Sequence, residues 1–224
     1  MRTRSPLQLM LSVLACAVLS LTLGTPVAEA QRGLRPVTYR PESRVQLSAM
    51  VTYQWGGTLH TTAGDLKLDD TENYVGVLNF QVRPGARGEL YYSYQPTTLR
   101  RTFGTTDAVP MNVHYFQLGG RYEPVRHGPV MPFLSGSAGA VLFDAGRSAS
   151  GIEYGSDWEF AFRFALGATA MFSQRIGLRG ELGLLVPTFW STGGFVCGGA
   201  GCYGTVTGTT VAQGTAGGGL TIAF

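Results

Sequence analysis

The feature that most constrains this chain is an alternation of apolar and polar residues that begins at Arg44. Between Arg44 and Trp55 every second residue is apolar and the residues between them are polar, with Met50 as the exception. Successive side chains of a β-strand point to opposite faces, so the stretch predicts a strand of about twelve residues. Soluble strands are typically about half that length, whereas a tilted strand that crosses a membrane needs roughly 9–11 residues.

The alternation returns seven more times and predicts eight strands in all. The later strands are predicted at 74–82, 89–95, 115–122, 134–142, 159–173, 178–184 and 217–224. Long and short connections follow one another: the long ones are 56–72, 96–110, 144–157 and 188–205, and the short ones are 83–88, 123–131 and 173–175. Outer-membrane barrels have long connections at one end and short connections at the other, so the two kinds alternate along the chain. We therefore predict an all-β fold over residues 44–224, an eight-stranded antiparallel transmembrane up-and-down β-barrel.

Composition supports a β-rich chain and excludes several other classes. Glycine accounts for 32 of 224 residues, which disfavours long helices. Charged residues make up only 14%, and the arginines are spread along the chain without a basic block, so we expect no nucleic-acid partner.

The first 43 residues are predicted to lie outside the barrel. Two arginines precede an apolar run from Leu7 to Leu23, and Ala28-Glu29-Ala30 provides a small-x-small cleavage site. This pattern predicts a signal peptide at 1–30, cleaved after Ala30, followed by a periplasmic lead-in at 31–43. An uncleaved membrane anchor and lipoprotein processing at Cys16 are the alternatives.

The two faces of the predicted strands indicate which side meets lipid. Aromatic residues recur near the strand ends on the apolar face, as expected for girdles at the two membrane interfaces. The polar face carries possible ion pairs, Glu159 with Arg163 and Arg179 with Glu181, and buried charges need partners. We predict an interior polar network of Glu89, Arg121, Glu159, Arg163, Arg179 and Glu181. It either fills the barrel and sets its register or lines a gated ion path. A soluble barrel with an apolar interior is the alternative fold.

The C-terminal sequence Gly218-Gly219-Leu220-Thr221-Ile222-Ala223-Phe224, together with the strands at 116–122 and 178–182, resembles the small outer-membrane β-barrel family that includes OmpX and the membrane domain of OmpA. The resemblance implies location in the bacterial outer membrane, with outer-membrane lipid and lipopolysaccharide as surroundings. It also implies that the assembly machinery reads Leu220, Ile222 and Phe224 as a C-terminal signal. We expect a monomer.

No group of side chains predicts catalysis. The three histidines have no second ligand at a metal-binding spacing. Some eight-stranded barrels are lipid deacylases that place a serine two residues after a histidine, and none of the three histidines is followed in this way. We therefore expect no enzyme activity, no cofactor and no metal site.

Two charged groups in the predicted loops allow more than one interpretation. The four carboxylates between Asp65 and Glu72 either bind Ca²⁺ or form a solvated acidic loop. Arg100 and Arg101 either contact anionic lipopolysaccharide or are two exposed charges.

After signal removal only Cys197 and Cys202 remain, separated by a glycine-rich segment. Export to an oxidising compartment favours a disulfide between them, and an incomplete metal site is the alternative. The sequence as a whole predicts a surface protein with a structural or interaction role, four long extracellular loops and a polar, side-chain-filled interior. A narrow ion-conducting channel and a soluble periplasmic ligand-binding barrel are the alternative functions.

Overall fold

The computed structural model describes residues 43–224 apart from 56, 62–63, 102–107, 125–129, 148–153, 190–192, 199–200 and 207–210. The strand residues 59–61, 64–66, 101, 193–198 and 201–206 are described by their backbone alone. The predicted signal peptide and all of the predicted lead-in except Ser43 lie outside the described residues.

Twelve strands make up the regular structure of the described residues. Their bounds are β1 Val45–Gln54, β2 Thr58–Thr61, β3 Gly64–Leu68, β4 Thr71–Arg83, β5 Ala86–Arg101, β6 Ala108–Tyr122, β7 Val130–Ala145, β8 Ser156–Met171, β9 Ile176–Thr188, β10 Gly193–Gly198, β11 Gly201–Val206 and β12 Gln213–Ala223. In this part of the chain no helix is long and apolar enough to cross a membrane.

Eight of these strands, β1, β4 to β9 and β12, form a closed antiparallel barrel. Each pairs with its neighbour along the chain, and β12 closes the circle by pairing with β1, so that Gln46 lies opposite Ala223. The prediction of an eight-stranded barrel is confirmed. We call the end that carries the three short connections and both barrel termini the turn end, and the opposite end the loop end.

The other four strands are hairpins in two of the long connections. β2 and β3 lie between β1 and β4, and β3 pairs with the last residues of β5. β10 and β11 pair with each other between β9 and β12. Two regions predicted as loop therefore contain ladder structure.

The predicted connection at 96–110 is wrong. The ladder between β5 and β6 continues to Arg100 opposite Ala108, and both Pro96 and Pro110 lie within the strands. The last strand also begins at Gln213 rather than at Gly217. In β5 and β6 the apolar residues change faces toward the loop end, which interrupts the pattern from which the strands were predicted.

Glycines occupy positions where the barrel backbone leaves no room for a side chain. A Cβ on Gly219 would lie 2.0 Å from the Ala49 carbonyl oxygen, and one on Gly139 would lie 2.0 Å from the Phe116 carbonyl oxygen. Gly85 ends the short turn after β4 with a φ of 79°, a conformation that glycine adopts without steric cost. The glycine content is therefore partly a requirement of close strand approach.

The outer surface of the turn-end half is apolar around the barrel. Phe164, Leu166 and Leu182 are more than half exposed, as are other large apolar side chains on the same surface. Aromatic side chains lie where this surface meets the loop-end half, and several rings touch, including Tyr92 with Phe116 at 5.1 Å between centroids. A continuous apolar surface bordered by aromatic rings is that of a barrel that spans a membrane. The aromatic side chains toward the loop end are Tyr53, Trp55, Tyr74, Tyr92, Tyr94, Phe116 and Trp158, and those toward the turn end are Phe80, Tyr122, Phe172 and Phe224.

Candidate functional site

The barrel interior contains a compact group of four charges, Glu89, Arg163, Arg179 and Glu181, which we call the charge ring. Arg163 donates to Glu89 at 2.9 Å and to Glu181 at 2.5 Å. Arg179 donates to Glu89 at 3.2 Å and forms an ion pair with Glu181 at 2.9 Å. All four side chains are buried, and the two positive and two negative charges cancel.

Neighbouring side chains fix the orientation of the charge ring. With its amide oriented to satisfy both neighbours, Asn79 donates to Glu89 and accepts from Arg179. Ser135 accepts a further hydrogen bond from Arg163. The guanidinium of Arg163 lies over the Tyr91 ring at 4.1 Å. The ring therefore has partners from several strands, which is the condition under which buried charges are tolerated.

A second group, Arg87, Arg121 and Glu123, lies nearer the turn end, and we call it the terminal cluster. Arg87 and Arg121 are directly opposite each other on β5 and β6. Both are within 4 Å of the same oxygen, Glu123 Oε1, at 3.3 and 3.1 Å respectively. All three residues are at most 5% exposed. Two positive charges thus share one carboxylate.

Above the charge ring, toward the loop end, a network of neutral polar groups crosses the interior. Asn73 donates to Gln54, and Gln54 donates to Gln213. The Tyr115 hydroxyl donates to the same Gln213 oxygen at 2.6 Å. Four strands, β1, β4, β6 and β12, are joined here by side chains.

The loop end of the interior is apolar, which corrects the prediction of a polar interior throughout. The side chains there are each at most 4% exposed. The Phe143 and Phe189 rings stack with centroids 5.7 Å apart. Leu68, Phe189 and Val211 come from the long connections rather than from barrel strands, so these connections fold into the mouth. We call this group the loop-end core: Leu68, Leu99, Val109, Met111, Val113, Val141, Phe143, Phe189 and Val211.

Of the six residues predicted for the interior network, the structure brings four together in the charge ring. Arg121 belongs to the terminal cluster and donates to Thr169 at 2.8 Å. Glu159 lies on the inner face of β8, half-buried and nearer the loop end, whereas Arg163 contacts Glu89 and Glu181.

Sequence reasoning missed Arg87 and Glu123 because both lie in segments predicted to be short connections. The alternation continues through them, since Arg87 precedes Glu89 by two residues and Glu123 follows Arg121 by two. Continuing the alternation by two residues, backwards from Glu89 and forwards from Arg121, would have found both residues.

The remaining predicted groups lie at the two ends of the barrel. Leu220, Ile222 and Phe224 are exposed on the outer surface at the turn end. Cys197 and Cys202 are opposite each other in the hairpin of β10 and β11, and their side chains lie outside the described residues. Opposite residues of an antiparallel ladder, whether they form a hydrogen-bonded or a non-hydrogen-bonded pair, have Cα atoms close enough for a disulfide. The backbone therefore permits the disulfide, which stays a prediction.

The acidic first connection and the basic second connection meet at the loop end. Arg100 donates to Asp69 at 2.7 Å, and the arginine side chain is 59% exposed. Arg101 is described by its backbone alone. Within the described ranges no three His, Cys, Asp or Glu side chains form a group that could hold a metal ion.

No protein-family model matches the chain, and no curated protein matches it. Solved barrels resemble it in structure. Neisserial surface protein A is 13% identical with a TM-score of 0.55, and the match covers 81% of this chain and 98% of that protein. OprG of Pseudomonas aeruginosa is 8% identical over 80% of this chain and 94% of its own, with a TM-score of 0.48. The N-terminal barrel domain of Pseudomonas aeruginosa OprF is 14% identical over 80% of this chain and 96% of its own, with a TM-score of 0.42. The similarity to the neisserial protein supports the barrel fold, and at this identity it supports the fold alone.

Proposed function

We propose that this chain is an integral protein of the bacterial outer membrane with a structural or surface-interaction role. The observation that carries the proposal is the apolar outer surface bordered by aromatic rings, such as Tyr92 and Phe116, around an interior filled by side chains. A barrel of eight strands is only wide enough for its side chains to fill it. Contacts with surface partners then take place at the loop end.

The orientation follows from the two longest connections, those that contain the hairpins, because both lie at the loop end. Outer-membrane barrels place their long loops outside the cell and their short turns in the periplasm. The loop end, with its hairpins β2–β3 and β10–β11, would therefore meet lipopolysaccharide and surface partners. The exposed Leu220, Ile222 and Phe224 would be available to the outer-membrane assembly machinery during insertion of a monomeric barrel. The proposal assigns no catalytic role and no cofactor.

Localisation combined with gel mobility tests this proposal. We expect the protein in the outer-membrane fraction, and we expect unheated protein in dodecyl sulfate to migrate differently from boiled protein because every barrel strand is paired. Identical mobility together with recovery in the soluble fraction would contradict the proposal and favour a soluble ligand-binding barrel.

A narrow ion channel is the alternative function, because the charge ring places charged side chains inside the barrel. Two features argue against it: the ring charges are paired with each other, and the loop-end core seals the interior above them. We expect pure protein in planar bilayers to show no large, stable conductance. Reproducible openings on the order of a nanosiemens would favour the porin-like function instead.

A further inference from the structure

We propose that the terminal cluster, Arg87, Arg121 and Glu123, binds a small tetrahedral oxyanion of the phosphate or sulfate class at the turn end of the barrel. This inference goes beyond the outer-membrane role and does not depend on it. It rests on the excess positive charge of the cluster, on guanidinium donors that have no hydrogen-bond partner among the described residues, and on the position of the cluster near the turn end.

The charge balance of the interior is uneven at this end. The buried charged side chains of the described residues are four arginines and three glutamates, which leaves four minus three, or one, positive charge in excess. The charge ring is neutral and internally paired, so the excess belongs to the terminal cluster. Like charges directly opposite each other on neighbouring strands destabilise a sheet, and Arg87 and Arg121 are such a pair.

Donors are also left over in the terminal cluster. Arg121 Nη2 donates a hydrogen bond to Thr169 and forms an ion pair with Glu123. Arg121 Nε and Nη1 have no hydrogen-bond partner among the described residues. Arg87 Nε lies 3.3 Å from Glu123 Oε1 and forms an ion pair with it, but neither atom makes a hydrogen bond among the described residues. Arg87 Nη1 donates to the Ser43 carbonyl oxygen. A guanidinium carries five N–H donors, so the cluster has capacity for a strong acceptor.

Water and an anion would both satisfy these donors, but only an anion also balances the charge. Leaving a buried charge unpaired costs far more free energy than leaving a neutral polar group unpaired. The Phe133 ring, 3.9 Å from the Arg121 guanidinium, covers one side of it with apolar surface and strengthens the field felt by an anion.

The cluster lies near the turn end of the barrel. Arg87 is the first inward-facing residue of β5, and Glu123 immediately follows β6. The same end of the interior also buries Met131, Met171 and Ala223. An anion entering here needs to pass neither the charge ring nor the loop-end core.

The test is phosphate binding by the full barrel in an uncharged maltoside detergent free of phospholipid. Phosphorus NMR of inorganic phosphate should show saturable line broadening that sulfate competes away, and sodium phosphate should raise the melting temperature above that in sodium chloride at equal ionic strength. Because a phosphorylated lipid headgroup offers the same chemistry, a second sample receives short-chain phosphatidylglycerol and no inorganic phosphate. Saturable binding in either sample supports the site and identifies the source, and binding in neither overturns it.

Two variants and one control separate this site from nonspecific anion effects. Arg121→Gln and Arg87→Gln should each weaken phosphate binding by roughly tenfold or more, the loss expected for a charge-assisted hydrogen bond. In chloride each variant should be at least as stable as the original chain, because the remaining arginine and Glu123 form a neutral pair. Arg100→Gln, which removes an exposed arginine at the loop end, should leave phosphate binding unchanged.

Heat-dependent gel mobility shows which variants have folded, and two variants are made so that one can be read if the other fails to fold. Equal phosphate binding by the original chain and a folded Arg121→Gln or Arg87→Gln variant would overturn the proposal. So would a melting temperature that responds to phosphate and chloride alike, since water alone would then fill the free donors.

Discussion

The two halves of the barrel bury opposite kinds of side chain although the same strands run through both. On β6, the inward-facing residues at the loop end are Val109, Met111 and Val113, and those at the turn end are Gln117 and Arg121. The outward-facing residues change in the opposite sense: Pro110 and Asn112 lie at the loop end, and Phe116 and Leu118 lie at the turn end.

This inversion shows that one β-barrel can be built for two solvents. Against lipid, the outer face must be apolar, and the polar residues are left inside to satisfy one another. Against water, the usual preference returns, with an apolar core and a polar surface. The aromatic side chains that include Tyr92, Phe116 and Trp158 lie at the level where the pattern changes. The level of the membrane interface can therefore be located from the sequence of a single strand.

The largest expected effect comes from breaking the charge ring. Arg163→Met should lower the free energy of unfolding by about 3–5 kcal/mol, because Glu89 and Glu181 then share one arginine in the barrel interior. Urea unfolding in phospholipid vesicles measures the change. Arg100→Met, at the exposed loop end, is the matched control and should cost no more than about 1 kcal/mol. Equal losses would mean that burial does not distinguish the two arginines.

A charge placed on the lipid-facing surface should have the next largest effect. Leu182 is 56% exposed in the apolar belt, and Leu182→Arg should cost roughly 2–4 kcal/mol if it lies near the bilayer midplane. Thr98→Arg puts the same side chain on the outer face of the loop-end half, where water solvates it, and should change stability by less than about 0.5 kcal/mol. A similar cost at both positions would contradict the assignment of the loop-end half to water.

Removing one methylene from each half should separate a packed core from a lipid-facing surface. Leu99→Val in the loop-end core should cost about 1 kcal/mol, because Leu99 is fully buried and a small cavity is left. Leu182→Val should cost almost nothing by this mechanism, since lipid chains fill the space. The comparison uses the same unfolding measurement, and a larger loss at Leu182 would show that the loop-end core is loosely packed.

The smallest expected effect on the barrel comes from the two cysteines. We predict a disulfide between Cys197 and Cys202, opposite each other on β10 and β11. In the chain-entropy model so short a loop contributes roughly 2 kcal/mol, less any ring strain. This stabilisation is confined to the hairpin, because the backbone pairing of its strands holds the barrel together.

Thiol counting on the denatured mature protein measures the bond directly. Reaction of both thiols without reductant would rule it out. A variant with both Cys197→Ser and Cys202→Ser should keep the heat-dependent gel mobility of the barrel, and loss of assembly would show that the bond is not local.

Much of the fold could be predicted because each strand carries its own signal. The alternation in β1 and β8 placed strand and face correctly over nearly their whole length. It failed at 96–110, where the apolar residues move to the inner face and two prolines suggested a loop. The prediction of a polar interior failed in the same region, because it extended the pattern of the lipid-facing half to the whole barrel.

The candidate site could be predicted only in its composition. The sequence shows that Glu89, Arg163, Arg179 and Glu181 face inward, since inward direction is a local property of the alternation. It does not show which acid each arginine contacts, because the register of the barrel brings together residues far apart in the chain, such as Arg179 and Glu89, which are 90 positions apart.

By itself, then, the sequence determined the number of barrel strands and their two faces, because a period of two is set by the geometry of each strand alone. Only the tertiary structure decided that Arg87 and Arg121 share Glu123, that Leu68, Phe189 and Val211 fold into the mouth, and that the charge ring is neutral. These are contacts across the barrel, and they exist only once the chain has closed on itself.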